Sequence, residues 1–171
     1  MPPLILFYLG SHPDSYGRYL QDILKQDDHW FESCHNYIQW IFPNKDWSRV
    51  TPEAPVLTAE VIRLFKSDEL IRAHLLESFY RILSFYGLHR LDNNIKKVNK
   101  WSKRKQNWFL DDTHNSLRLT RILKCLYELD FKNIANKLYS ALVLLRSSEK
   151  DCGIGDTAFG FWAEVITSKG N

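Results

Sequence analysis

Residues 35–43 read His35-Asn36-Tyr37-Ile38-Gln39-Trp40-Ile41-Phe42-Pro43. Apolar residues at helical spacing extend from this stretch back to Trp30, at positions 30, 34, 37, 38 and 41. Asp27 and Asp28 precede them, where carboxylates can cap free N–H groups, and Pro43 ends the run. The pattern predicts a helix from about residue 30 to residue 42. Because this helix is apolar over most of its circumference, we expect it to be central in the fold.

Helical periods recur along the rest of the chain. Thr58 is a predicted N-cap, and Gly87 is the predicted C-terminal end of a long apolar stripe. Residues 4–9 are a short apolar run, for which we expect a strand or an extended arm. Residues 44–57 contain two prolines and are predicted to be a loop, with Trp47 folded back onto the core. The apolar periods predict a helix over 16–26, a short one after Thr58 with residues 61, 62 and 65, and a long one with its stripe at 71–86. Asp112 or Thr113 is predicted to begin a helix with its stripe at 119–129, and two more helices have their stripes at 134–145 and 159–166.

No run alternates apolar and polar residues for long enough to build a sheet, and no internal repeat is visible. The predicted fold class is therefore all-α, with about six to eight helices around a central aromatic-rich helix. The length of 171 residues, with 44% hydrophobic and 25% charged residues, fits a single domain over 1–171. Residues 146–171 are predicted to be a linker and a short terminal helix.

Composition also indicates the compartment. Cys34, Cys125 and Cys152 cannot all pair within one chain, which favours a reducing environment. The apolar start of the chain lacks the basic region of a signal peptide, and no apolar run approaches the roughly 20 residues that span a bilayer. We therefore expect a soluble, intracellular protein without a transmembrane segment.

The motif at residues 35–43 closely resembles the signature of the conserved N-terminal region of the opioid growth factor receptor family. A second block, His114-Asn115-Ser116-Leu117-Arg118-Leu119-Thr120-Arg121-Ile122-Leu123-Lys124, is similar to a later segment of that region. Between them, residues 79–87 look like the family's helix that ends in an aromatic-glycine pair, and the opening Phe7-Tyr8-Leu9 also fits. The resemblance covers residues 4–145, in the same order and at similar spacing.

The resemblance implies an all-helical, non-catalytic, cofactor-free region of a receptor for an enkephalin-type pentapeptide. It also implies a location at the nuclear envelope or in the nucleus, with peripheral membrane association. The animal receptors continue into a long charged tail and terminal repeats that this sequence lacks. We therefore expect the fold to transfer better than the ligand.

Catalytic and metal-binding patterns are weak in this sequence. Cys34 and His35 are neighbours on a predicted helix and would point about 100° apart, so they do not form a nucleophile pair. His29, His35 and His114 with Asp28 or Asp112 lack the i, i+4 spacing of helical metal ligands. The glycines at 153 and 155 follow no strand and are predicted to lie in a linker. We predict no enzyme activity, no metal and no cofactor.

The first candidate binding site combines two polar groups. Buried amide and imidazole side chains must find partners, so the polar residues of the motif either tie this helix to the His114-Asn115 segment or face a ligand. An arginine beside an apolar stripe could hold a carboxylate of a peptide. The candidate residues for a short peptide or protein partner are His35, Asn36, Gln39, Trp40, Arg118 and Arg121.

The second candidate is a basic segment that could bind nucleic acid. Six cations lie between residues 96 and 105 without an acid among them, and two tryptophans seven residues apart could stack bases. A solvated surface helix explains the same pattern. The candidate residues are Lys96, Lys97, Lys100, Trp101, Lys103, Arg104, Lys105 and Trp108, with Arg118, Arg121 and Lys124 as further cations.

Overall fold

The computed structural model describes residues 1–111 and 113–168. In this part of the chain ten helices and one two-stranded antiparallel hairpin form. The fold is therefore mostly helical, and the expected all-α class and count of six to eight helices need correction. The elements are α1 Pro3–Tyr8, α2 Leu20–Leu24, α3 Asp28–Ser33, α4 Ile38–Ile41, α5 Ala59–Ser67, α6 Glu69–Phe85, β1 Leu88–Leu91, β2 Asn94–Lys97, α7 Trp101–Trp108, α8 His114–Glu128, α9 Lys132–Ser148 and α10 Asp156–Thr167.

The chain divides into two compact units, with the division between Arg81 and Ile82 in α6. Residues 1–81 form the N-terminal unit, and the residues from 82 onward form the C-terminal unit. The single domain over 1–171 stays a prediction. None of the helices in the described ranges is both long and apolar enough to cross a membrane.

The first apolar run is a helix rather than the expected strand or arm. Pro3 lies in the first turn of α1, where proline needs no backbone hydrogen bond. Leu4, Ile5, Phe7 and Tyr8 are all buried, so this helix is surrounded by apolar neighbours. The Tyr8 hydroxyl donates to the backbone oxygen of Ile41, at 2.6 Å, which links α1 to α4.

The predicted central helix over residues 30–42 is wrong. The chain forms two short helices, α3 and α4, separated by residues 34–37. Asp27 caps α3 by accepting from the Trp30 N–H at 2.8 Å, which confirms the predicted start. Cys34 then has extended backbone angles (φ −85°, ψ 130°), so the helix ends there. The aromatic residues of the motif are buried, but along a bent segment.

The other segments of the N-terminal unit follow the apolar pattern with local differences. The predicted helix over 16–26 shortens to α2, and Tyr16 and Tyr19 are exposed. Thr58 caps α5 by accepting from the Val61 N–H, as expected. Residues 44–57 form the expected loop, yet Trp47 does not fold back onto the core and is 59% exposed. Its indole N–H donates to the Pro52 oxygen within the loop.

The hairpin of the C-terminal unit lies in a segment for which no strand was predicted. Asp92 and Asn93 both have positive φ (46° and 66°), which is the conformation of a two-residue turn that matches the twist of paired strands. Leu88 pairs with Lys97 and Leu91 with Asn94. Each strand has only four residues, which is too short for an alternating pattern to be recognised.

Helices α8, α9 and α10 pack against one another in the C-terminal unit. The predicted stripe of α8 is fully confirmed, because Leu119, Ile122, Leu123, Leu126 and Leu129 are all buried. Most of the stripe residues of α9 and α10 are buried as well. These three helices thus supply the apolar core of this unit.

Candidate functional site

Arg18 holds the linker between α3 and α4 in place. Its guanidinium forms an ion pair with Asp14 at 2.6 Å and donates to the Cys34 Sγ at 3.3 Å and to the Asn36 backbone oxygen at 3.4 Å. The Asp14 side chain is fully buried and also accepts the Tyr16 backbone N–H. Because these bonds satisfy polar groups of the linker, they favour a bend over a continuous helix.

Asp14 and Arg18 are not among the site residues predicted from the sequence. The available signal is the turn between them, in which Gly17 has a positive φ of 77°. An aspartate before such a turn can bond backbone N–H groups, and Asp14 does so. The contact of Arg18 with the motif depends on the tertiary fold, so no local sequence pattern predicts it.

The two leading residues of the motif lie at its outer edge. His35 is exposed and Asn36 is half-buried. The Cys34 thiol donates to the Asn36 Oδ1 at 3.1 Å and accepts from Arg18, so it belongs to a hydrogen-bonded network. His35 and Asn36 therefore lie at the surface of the linker.

Gln39 and Trp40 differ from these two residues, because both are buried, at 6% and 4% exposure. Within the described part of the chain, the Gln39 Oε1 and the Trp40 Nε1 have no hydrogen-bond partner, and neither has the Thr51 Oγ1 of the following loop. A buried polar atom without a partner costs about 1–3 kcal/mol. The motif thus contains a buried acceptor next to a buried donor.

The arginines of the first candidate site lie in the C-terminal unit. Arg118 is only 4% exposed, and its Nη1 donates to the Asn115 Oδ1 at 3.4 Å. The Tyr86 hydroxyl donates to the same oxygen at 3.4 Å. Arg121 is half-buried. Arg118 is therefore part of a buried polar cluster on α8, while Arg121 is the more accessible of the two.

The tryptophans of the basic segment are core residues of the C-terminal unit. Trp108 is fully buried and Trp101 is 5% exposed. Their ring centroids are 5.7 Å apart, and each ring also packs edge-on against Phe109 at 5.3 Å. Arg104 is buried too, and its Nε donates to the Phe85 backbone oxygen at 2.6 Å. In this structure, neither indole is available to stack on a base.

The lysines of the basic segment meet acids from a distant part of the sequence. The Lys97 Nζ lies 2.6 Å from Glu149, and the Lys105 Nζ lies 3.0 Å from Glu149 and 2.8 Å from Asp151. These acids follow α9, so a ten-residue window could not reveal them. Hydrogen bonds from Lys97 and Lys105 lower the pKa of Glu149 from its ordinary value of 4.5 to about 2. The remaining lysines of the segment are Lys96 and Lys103, which are exposed, and Lys100, which is half-buried.

Replacing Glu149 by glutamine should lower the free energy of unfolding by about 1 kcal/mol at pH 7, since Lys97 is half-exposed and solvent screens the pair. The folded-state pKa is depressed, so the carboxylate stabilises the fold above pH 4.5 and this stabilisation is lost as the pH falls toward 2. Urea unfolding at pH 7, 4 and 2.5 measures the difference. A difference between the two proteins that does not shrink on acidification would contradict the assignment.

The metal and phosphate patterns gain no geometric support in the described ranges. There, no three His, Cys, Asp or Glu side chains are grouped to hold a metal ion. Asp112, considered as a ligand and as a helix start, lies outside these ranges, and Thr113 is the N-cap of α8. Gly153 packs so closely that a Cβ there would lie 3.1 Å from the Leu110 Cα. This close packing accounts for a glycine at 153 without an anion.

Comparison with known proteins identifies a family to which this chain is similar. Residues 6–169 match the family model described as the opioid growth factor receptor (OGFr) conserved region. The Homo sapiens protein named Opioid growth factor receptor is 35% identical over 125 residues, which cover 68% of this chain and 18% of that protein. The Mus musculus Opioid growth factor receptor-like protein 1 is 33% identical over 127 residues, covering 71% of this chain and 27% of that protein.

A Xenopus tropicalis Opioid growth factor receptor-like protein 1 is 32% identical over 133 residues, which cover 74% of this chain and 26% of that protein. The chain thus spans about a fifth to a quarter of the length of these relatives. No solved structure matches it. The suspected resemblance is confirmed, and the chain belongs to the opioid growth factor receptor conserved-region family.

Proposed function

We propose that this chain is a non-enzymatic binding module for a short peptide or a protein partner. The observation that carries the proposal is the buried, unmatched pair of the Gln39 Oε1 and the Trp40 Nε1. The pair lies inside the motif that marks the family, whose relatives carry receptor names. A peptide main chain presents N–H donors and C=O acceptors, which are the groups that an amide oxygen and an indole N–H require.

Access to this pair requires a local opening, because both atoms are buried. The adjoining loop over residues 44–57 is the element that moves in our proposal. It has no regular secondary structure, it carries the exposed side chains of Trp47 and Val50, and it includes the buried, unmatched Thr51 Oγ1. His35 and Asn36 then lie at the rim. Separately from this pair, we propose Arg118 and Arg121 of the C-terminal unit as a second site, which holds a carboxylate.

The test is a calorimetric titration with the opioid growth factor pentapeptide, which is chosen because the relatives are named as its receptors. The wild-type chain should bind it with a dissociation constant on the order of micromolar or tighter. Gln39→Met removes the side-chain amide and Trp40→Phe removes the indole N–H, and each should weaken binding about tenfold, the equivalent of one hydrogen bond. The melting temperature of Gln39→Met should stay equal or rise, because the change removes an unmatched buried oxygen at similar volume. That of Trp40→Phe should fall modestly, because the smaller ring leaves a cavity at a buried position.

Two controls separate binding from folding. Leu70→Met changes an exposed side chain of α6, outside the motif and the loop, and should leave affinity unchanged. A C-terminally amidated peptide should bind more weakly if an arginine holds the carboxylate. If Gln39→Met and Trp40→Phe lower the melting temperature by several degrees and leave affinity intact, the pair is structural and the proposal is wrong.

Nucleic acid is the weaker candidate, since the structure buries Trp101 and Trp108 and pairs Lys97 and Lys105 with acids.

We also propose, from the cysteines, that the chain functions inside the cell. Cys34, Cys125 and Cys152 are free thiols, the form that cysteines take in a reducing compartment.

A further inference from the structure

The C-terminal unit contains a groove of about 420 Å³ between β2 and one side of α9. Its lining includes the aliphatic side chains of Ile95, Ala141 and Leu144 and the polar side chains of Lys96, Lys137 and Asn136. The volume lies in the range of sites that hold a small ligand or a few side chains of a peptide. None of these residues belongs to the site proposed above.

Helix α9 contributes a different face to the core and to the groove. One face buries Ala135, Leu138 and Leu142 in the core of the unit. Asn136, Ser140 and Leu144 follow at i, i+4 and i+8 and form a second row along the helix. Leu144 is 65% exposed, although it lines a concave surface rather than standing alone. A leucine placed in this way is suited to bury a partner's apolar side chain.

The charges along the groove all have one sign. Lys96 is exposed on β2 and makes no ion pair within the described residues. The Lys137 Nζ contacts the amide oxygen of Asn93, which is a neutral partner. No carboxylate lines the groove in the described part of the chain. Unlike Lys97 and Lys105, these two lysines have no carboxylate partner within the described residues, so an acid of a partner can pair with them.

We propose that this groove binds an acidic segment of a partner protein. One apolar side chain of that segment would pack on Ala141 and Leu144, and its carboxylates would meet Lys96 and Lys137. Asn136 can bond to the partner's main chain. A protein segment fits better than nucleic acid, because the groove offers aliphatic side chains and no aromatic face on which a base could stack.

The test uses an N-acetylated, C-amidated hexapeptide with four glutamates around a central leucine-phenylalanine pair. It is titrated into the ¹⁵N-labelled full chain and followed by amide chemical shifts. We expect a dissociation constant on the order of 10–100 μM, with the largest shifts at residues 94–96 and 136–144. Leu144→Ser should weaken binding about tenfold, because it removes the apolar contact. Lys96→Glu combined with Lys137→Glu should weaken it at least tenfold.

Lys103→Glu is the matched control, since Lys103 is an exposed lysine on α7 outside the groove and its change should alter affinity less than about twofold. Gln39→Met should retain full binding, which separates this site from the proposed peptide site. Equal affinity for a peptide with glutamine in place of glutamate would overturn the inference. Tighter binding of an oligothymidine to the same residues, or shifts confined to other surfaces, would overturn it as well.

Discussion

Replacing Trp108 by alanine should lower the free energy of unfolding by about 4 kcal/mol, the upper part of the range for a buried aromatic side chain. Trp108 is fully buried, packs edge-on against Tyr86 at 4.9 Å, and donates its indole N–H to the Tyr86 backbone oxygen at 3.1 Å. Alanine would leave a cavity and an unmatched carbonyl. Urea-induced unfolding followed by circular dichroism measures the change.

Two further tryptophan variants calibrate this result. Trp108→Phe keeps most of the ring but loses the hydrogen bond, and should cost about 1–2 kcal/mol. Trp47→Ala removes an exposed indole and should cost less than about 1 kcal/mol. The comparison also bears on function, since a base-stacking Trp108 would show the opposite pattern. In that case alanine would weaken oligonucleotide binding and leave unfolding unchanged.

The apolar periods predicted the long helices well, because burial along a regular helix repeats within a short window. The stripe Ile71, Leu75, Phe79 of α6 is buried, as is the predicted stripe of α8, at residues 119, 122, 123 and 126. The caps at Asp27 and Thr58 were also predictable, since an N-cap side chain bonds to an N–H only three residues away. Local physical rules were sufficient for these features.

The bent motif was not predictable in the same way. Residues 30–42 keep a helical apolar period, yet the chain leaves the helix at Cys34 because Arg18 bonds groups at 34 and 36. Gln39 lies in α4, which follows this bend, and is buried. The ion pairs of the basic segment were not predictable either, because Glu149 and Asp151 lie more than forty residues away in the sequence from the lysines that they contact. Long-range polar contacts decided each of these differences.

A third difference arises from backbone conformation. The turn at Asp92 and Asn93 is left-handed at both residues, which aspartate and asparagine tolerate better than most side chains. The Asp92-Asn93 pair is therefore typical of a hairpin turn. It was not recognised as one because the flanking strands are short and mostly polar. The family match covers this hairpin and α10 as well, since it runs over residues 6–169.

Replacing Gly87 by alanine should cost about 3 kcal/mol, and the reason lies in two separate effects. Gly87 has a positive φ of 79°, which costs a residue with a Cβ about 1–2 kcal/mol. A Cβ there would also lie 2.9 Å from the Trp101 Cα and 3.1 Å from the Arg104 Cβ, so the backbone of α7 would have to move. Such overpacking costs about 1–3 kcal/mol.

Gly10→Ala separates these two effects. Gly10 has nearly the same φ, 74°, but a Cβ there would meet no atom within 4 Å. It should therefore cost only the conformational part, about 1 kcal/mol. The difference between the two variants in urea unfolding measures the close approach of α7 to the end of α6. Equal costs would show that α7 does not pack on Gly87. A larger cost at Gly87 would explain physically why the aromatic-glycine pair ends this helix, because only glycine admits both the turn and the neighbouring helix.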